Sequence, residues 1–222
     1  MACQNASTLG LYGTAGMATT QAWAIAKARP INKVKVYSPN PDHRMAFARQ
    51  TSQDMGIEVV ALDNPRKVME GADIVAACTS SLVPVIRGEW LEPGMHVLSV
   101  IPDEFDDAVF RRCHRYVYSR TPTTDYYVAD PVRRPSVGYE PIDTKWVRRE
   151  QRLLTKEKKA MLSDVVLGKA IGRTNDDEMT CFTTQGIPIQ FTAFAYKVYQ
   201  LAKERGLGRE LPLAWFLQDF SD

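Results

Sequence analysis

No Cys-x-x-Cys pair occurs in these 222 residues, and the three histidines form no cluster of metal-ligand spacing. That pattern excludes the common zinc frameworks, and no metal is expected. The four cysteines, Cys3, Cys78, Cys113 and Cys181, are too scattered for a disulfide scaffold and read as free thiols in a reducing compartment. No apolar run approaches the roughly 20 residues needed to span a bilayer. The opening Met1-Ala2-Cys3-Gln4-Asn5 lacks the basic and apolar regions of a signal peptide, so a cytoplasmic protein without a membrane partner is expected. Internal repeats and low-complexity tracts are also missing. Charge of one sign is absent overall, with 28 Lys and Arg against 26 Asp and Glu, yet Arg111 to Arg173 holds 15 basic and 7 acidic residues. That excess, with Tyr126, Tyr127, Tyr139 and Trp146 among it, is compatible with a nucleic-acid surface. A solvated helix face explains Arg148, Arg149, Arg152, Lys156, Lys158 and Lys159 more simply, and nucleic acid is not the expected partner.

What the chain does contain is an alternation of strands and helices. Leu9 to Tyr12 is a short apolar run, and Met17 to Ala28 an alanine-rich helix closed by Pro30. Val34 to Tyr37, Ile57 to Ala61, Asp73 to Cys78, Met95 to Val100 and Tyr116 to Ser119 read as five further strands. A helix from Pro41 to Met55, a short one after Asn64-Pro65, and one over Asp106 to Cys113 lie between them. Strands that are apolar almost throughout, separated by helices, predict an α/β fold: a Rossmann-type doubly wound parallel sheet. The pattern stops at Arg120. Residues 1–119 are read as the dinucleotide-binding domain, and 120–150, rich in Pro, Tyr, Arg and Asp, as an inserted loop or lid. Residues 151–222 are read as a carboxyl-terminal helical segment packing on that domain. Within this last part a charged helix near Trp146 to Leu162, a strand over Glu178 to Thr183 and an amphipathic helix from Ile189 to Arg205 are predicted.

The strongest chemical signal is Gly13-Thr14-Ala15-Gly16-Met17-Ala18, placed directly after the first strand and at the start of a helix. Gly13 allows the tight turn, Ala18 lets the helix approach the sheet, and the free N–H groups of the helix start favour a diphosphate. Ala15 stands where the usual fingerprint has glycine, adding a methyl group next to the diphosphate. The end of the second strand selects the cofactor. NAD-binding proteins carry an acid about 20 residues past the turn, on the adenosine ribose. Here the position is Ser38, followed by Asn40, His43 and Arg44, which favours NADP(H) over NAD(H). Asp42 is expected to cap the following helix, and Arg44 has the alternative reading of a solvated helix residue. Thr79, Ser80 and Ser81 end the fourth strand at the ligand edge. Asp103 and Glu104 end the fifth, near where a nicotinamide would lie, as candidate proton-transfer groups or plain loop acids. His96 falls inside an apolar strand and is assigned to the core.

Leu9 to Ala18, Gly71-Ala72-Asp73-Ile74-Val75 with Thr79, Gly88 to Val97, Gly172-Arg173-Thr174 and Ala202 to Gly208 resemble the ornithine cyclodeaminase and mu-crystallin family. The resemblance implies an NAD(P)-dependent protein that moves a hydride at the α-carbon of a small amino or imino acid. It also leaves open a dinucleotide-binding protein without turnover, as in mu-crystallin. By this resemblance Asp103 falls near the family's catalytic aspartate, with Ile101-Pro102 in place of its glycine and a shortened loop. Phe191 stands where the family has a late aspartate. Family members precede this domain with roughly a hundred residues that supply a substrate-binding Arg and Lys and most of a homodimer contact. The chain thus looks like the carboxyl two-thirds of a family member, expected to bind dinucleotide without turnover on its own.

Overall fold

In the fourth strand, Ile74–Ala77, every residue is buried and none is polar, which is the mark of a parallel strand covered on both faces. The computed structural model describes residues 1–119, 149, 151–184, 186 and 188–216, and the chain forms two compact units, residues 1–185 and 186–222. The first unit is built as β1 (Thr8–Tyr12), α1 (Gly16–Ala28), β2 (Lys33–Tyr37), α2 (Pro41–Met55), β3 (Glu58–Ala61), α3 (Pro65–Met69), β4 (Ile74–Ala77), β5 (His96–Ser99), α4 (Asp107–Arg112), β6 (Arg115–Tyr118), β7 (Lys159–Met161) and β8 (Thr180–Thr183). The strands form one sheet in the order β3-β2-β1-β4-β5-β8-β6-β7, and every adjacent pair is parallel.

Strand residues alternate between faces, so one sheet feeds two cores. Tyr12, Val75, Ala77 and Val97 pack with Val68 and Met69 of α3 and with Val109 and Phe110 of α4. Leu9, Leu11, Ile74, Ala76 and Leu98 pack on the other side with Ala18 and Ala22 of α1 and Phe47 and Ala48 of α2. The expected doubly wound α/β architecture is therefore present, with α1 and α2 on one face and α3 and α4 on the other. On the second face Phe105, Phe110 and Tyr116 meet edge to edge at 5.6 Å.

Past residue 119 the structure departs from the predicted organisation. The carboxyl-terminal segment contributes two strands to the sheet, the predicted one and β7, which was not expected. Thr180–Thr183 does form a strand, and it lies between β5 and β6, with His96 paired to Thr180 on one side and Arg115 paired to Thr180 on the other. The charged helix predicted through Leu162 is shorter. Arg149 and Gln151 to Leu153 are helical, a 3-10 turn covers Lys156–Lys158, and β7 follows. Ala160 is buried where β7 pairs with Val117 of β6, and that burial favours a strand over continued helix. The rest of the insert expected over 120–150 lies outside the described residues.

The second unit contains the helix Pro188–Glu204, none of whose residues is buried. It ends within a residue of the predicted Arg205, just before Gly206, whose φ of +64° lets Leu207 N–H return to the Ala202 carbonyl at 2.8 Å. Among the described residues no helix is long and apolar enough to cross a membrane.

Candidate functional site

The chain runs outward from β1 to β2 and β3, then crosses to β4 on the opposite side of β1. Open α/β sheets bind ligands at such a reversal, outside the carboxyl ends of the strands. A cleft of about 350 Å³ opens there, lined by Tyr12 to Ala15 after β1, Tyr37 to Pro39 after β2, Cys78 to Ser81 after β4, and Val85.

Its floor is the turn at Gly13. The φ of +103° is one that side-chain-bearing residues rarely adopt, and a Cβ built there would lie 2.4 Å from the Cys78 carbonyl oxygen. Gly13 N–H donates to the Tyr37 carbonyl at 2.9 Å, so the turn is wedged between the ends of β2 and β4. Ala15, in extended conformation, is the residue before α1, and no side chain caps the helix. Gly16 and Met17 supply the first helical N–H groups, and Gly16 has nothing within 4 Å of where a Cβ would stand. An uncapped helix start beside a cradle that only glycine fits suits a diphosphate, which backbone N–H groups and the helix dipole favour without any side chain. Ala18 and Ala22, both fully buried, let α1 lie close to the sheet.

At the end of β2, Ser38 is almost completely buried, and among the described residues no acid lines the cleft. Asn40 caps α2. Its Oδ1 accepts from the N–H of Asp42 at 2.9 Å and of His43 at 3.2 Å, so the capping role expected of Asp42 belongs to Asn40, and the Asn40 oxygen is committed to the helix. Pro41 at the first helical position fixes this register. Arg44 Nη1 donates to the carbonyls of Ser38 at 3.1 Å and Pro39 at 3.4 Å, which holds its guanidinium against the turn where an adenosine ribose would rest.

The β4 and β5 ends are tied together. Thr79 gives both its N–H and its hydroxyl to Glu104 Oε1, each at 2.8 Å. Ser80 and Ser81 also line the cleft, with Ser81 Oγ donating to the Val83 carbonyl at 2.8 Å. Asp103 stands in the 3-10 turn Pro102–Glu104 with half of its side chain exposed, 3.7 Å from Arg149 Nη1. Arg149 donates to Asp107 at 2.8 Å and to the Phe105 carbonyl at 2.7 Å, and it lies over the Phe110 ring. That hydrogen bond holds the Asp107 carboxyl below its ordinary range. Sequence reasoning missed the role of Glu104, which is fully buried.

Two titratable groups that line the cleft, Cys78 and Tyr12, are silenced by burial, and so is His96 at the opposite end of β5. The Cys78 thiol is pushed up to about 12 by desolvation and then by the Glu104 charge, so it is no nucleophile at neutral pH. Tyr12 donates to the Pro65 carbonyl at 2.6 Å, and desolvation raises its phenol well above the ordinary value. His96, as expected, belongs to the core: its Nδ1 is 2.8 Å from Thr180 Oγ1, and burial lowers its pKa to about 3.

Comparison with known proteins extends these observations. Residues 1–206 match the ornithine cyclodeaminase/mu-crystallin family. A cyclodeaminase of Sinorhizobium fredii, itself uncharacterised, is 28% identical over 213 residues, covering 92% of this chain and 59% of its own length. A Δ1-pyrroline-2-carboxylate reductase of Bacillus cereus is 27% identical over 211 residues, covering 95% of this chain and 62% of its own length. The chain thus spans about 60% of the length of these relatives. Among solved structures, the Thermococcus litoralis Δ1-pyrroline-2-carboxylate reductase in complex with NADH and L-proline superimposes with a TM-score of 0.78 at 26% identity, over 95% of this chain and 62% of that one. With a matched family region that takes in the glycine turn, the switch-point cleft and β8, the chain belongs to the ornithine cyclodeaminase/mu-crystallin family.

Proposed function

We propose that the switch-point cleft holds a nicotinamide dinucleotide, NADP(H) in preference to NAD(H), for hydride transfer at the α-carbon of a small amino or imino acid. The observation that carries this reading is the Gly13 cradle beside the uncapped start of α1. When bound, the nicotinamide gives or accepts the hydride. Thr14, Ala15, Gly16 and Met17 hold the diphosphate through backbone N–H groups, and Gly13, whose own N–H is given to the Tyr37 carbonyl, lets the turn pass close beneath it. Ser38 and Arg44 take the adenosine ribose and its 2′-phosphate, and no carboxylate among the described residues lines the cleft to repel it. Asn40 supports them by fixing the start of α2. Thr79 and Ser80 shape the wall beneath the nicotinamide half. Asp103, half-exposed at the end of β5, is the proposed proton-transfer group. Because the chain spans about 60% of its relatives' length, turnover is proposed for a protein that also supplies a cation for the substrate carboxylate from outside the described residues.

Titration calorimetry with NADPH and NADH tests the cofactor assignment, with tighter NADPH binding expected. Arg44→Ala is expected to weaken NADPH by roughly five- to thirtyfold, about 1–2 kcal/mol for one charge-assisted contact, and to leave NADH nearly unchanged. Equal affinities in the unmodified protein, or a preference for NADH, overturn the assignment.

A further inference from the structure

We infer that Glu104, which is not among the residues lining the cleft, is a positioning residue for the nicotinamide half of the dinucleotide site. This rests on the dinucleotide reading above. Glu104 is fully buried, and its side chain accepts four hydrogen bonds from two different strand ends. Oε1 takes the Thr79 N–H and hydroxyl, both at 2.8 Å, from the end of β4. Oε2 takes the Val100 N–H at 2.8 Å and the Ile101 N–H at 3.2 Å, from the end of β5. Its backbone carbonyl accepts from Val85 at 2.9 Å and Ile86 at 3.0 Å, so the far end of the 79–86 loop is anchored to the same residue.

The consequence reaches the cleft through Thr79. With its proton given to Glu104, the Thr79 oxygen accepts the Ser81 N–H at 3.1 Å, which sets the path of Ser80 and Ser81 along the cleft wall. The preceding carbonyl, that of Cys78, is the atom packed against Gly13. One carboxylate therefore fixes both the height of the wall over the phosphate turn and the separation of the β4 and β5 ends. The adenosine side is built from other contacts, those of Ser38, Asn40 and Arg44, none of which involves Glu104. A dinucleotide laid across the switch point puts its adenosine over β2 and its other half over β4 and β5. Loss of the Glu104 carboxylate is thus felt at one half only.

Glu104→Gln keeps the volume but replaces one accepting oxygen with an amide that can only donate, leaving N–H donors of one strand end without an acceptor. The experiment measures binding of NADPH and of adenosine 2′,5′-bisphosphate, which carries the adenosine half alone, to the full chain and to this variant. NADPH is expected to weaken by about tenfold or more while the bisphosphate changes by less than about twofold, since buried unsatisfied donors act locally. Should Glu104→Gln fail to fold, Thr79→Val removes one of the four donors with little change of shape. It is expected to give the same split to a smaller extent, and Thr79→Ser, which keeps the hydroxyl, is expected to restore NADPH binding. Parallel weakening of both ligands shows that Glu104 serves only the fold and overturns the inference, as does unchanged binding of both. If the unmodified chain binds neither ligand, the dinucleotide reading itself falls and takes the inference with it.

Discussion

Gly13→Ala should separate a phosphate cradle from an ordinary turn. The added Cβ would stand 2.4 Å from the Cys78 oxygen and 3.0 Å from its carbonyl carbon, and both are backbone atoms that no rotamer change can move aside. Cys78 is held in turn by its N–H bond to the Tyr12 carbonyl at 2.9 Å, so relief requires parting β1 from β4 at the cleft. Strain at a positive φ costs about 1–2 kcal/mol and overpacking another 1–3 kcal/mol, together a sizeable share of the 5–15 kcal/mol that typically holds a domain together. Gly16→Ala, three residues on, is the control. No heavy atom lies within 4 Å of its Cβ position and it begins α1, so the exchange is expected to be neutral or to stabilise by a few tenths of a kcal/mol. Urea denaturation of both variants, with NADPH titration under native conditions, reads stability and binding separately. Gly13→Ala within about 0.5 kcal/mol of the unmodified protein, with unaltered NADPH affinity, would refute the cradle.

His96 supplies a pH prediction. Its folded pKa of about 3 lies below the ordinary 6.5, so the unfolded chain binds a proton that the folded chain rejects, and stability should fall by about 1.4 kcal/mol per pH unit as pH drops from 6.5 towards 3. Urea titrations at several pH values should show that slope reduced in His96→Gln; identical slopes contradict it. Ala15→Gly is expected to be tolerated and to bind either cofactor more tightly, because it removes a methyl from the cleft lining and glycine suits the residue before a helix. Weaker binding would show that Ala15 faces away from the phosphates. Finally, the chain is expected to bind dinucleotide without turning over ornithine, alanine or cyclic imines. A substrate carboxylate needs a fixed cation, and Arg149 and Arg152, near the β5 edge, are both engaged with Asp107. Steady change in nicotinamide absorbance above the buffer rate would contradict this.

The first six strands and the helices between them were legible because each is a short apolar run or a local period bounded by turn residues: β4 and β5 are wholly buried, and α1 carries Ala18 and Ala22 four residues apart. The glycine turn was legible from its place between strand and helix. The cap of α2 was misassigned although its grammar repeats that of Asn64-Pro65, where the asparagine before proline accepts from Arg66 N–H. Reading Asn40-Pro41 the same way would have identified it. β7 escaped because three residues among lysines carry no period. Glu104 escaped for a deeper reason. Its partners lie 3, 4 and 25 positions away, and only the parallel pairing of β4 with β5 brings Thr79 and Val100 to one carboxylate.

The seat of β8 between β5 and β6 bears on how the chain acquires its structure. His96 and Thr180 are 84 positions apart, yet they are direct neighbours in the sheet. Without Thr180–Thr183, nothing would join β6 and β7 to β5, and the facing edges of β5 and β6 would both lie open. Strand pairs of such long separation close slowly, and open edges invite pairing with other chains. During synthesis the strands from β1 to β5 would pair first, and the far edge of the sheet would close last, when β8 is made. Conditions that delay this strand, rather than those that weaken the glycine turn, should govern how much newly made protein is lost to aggregation.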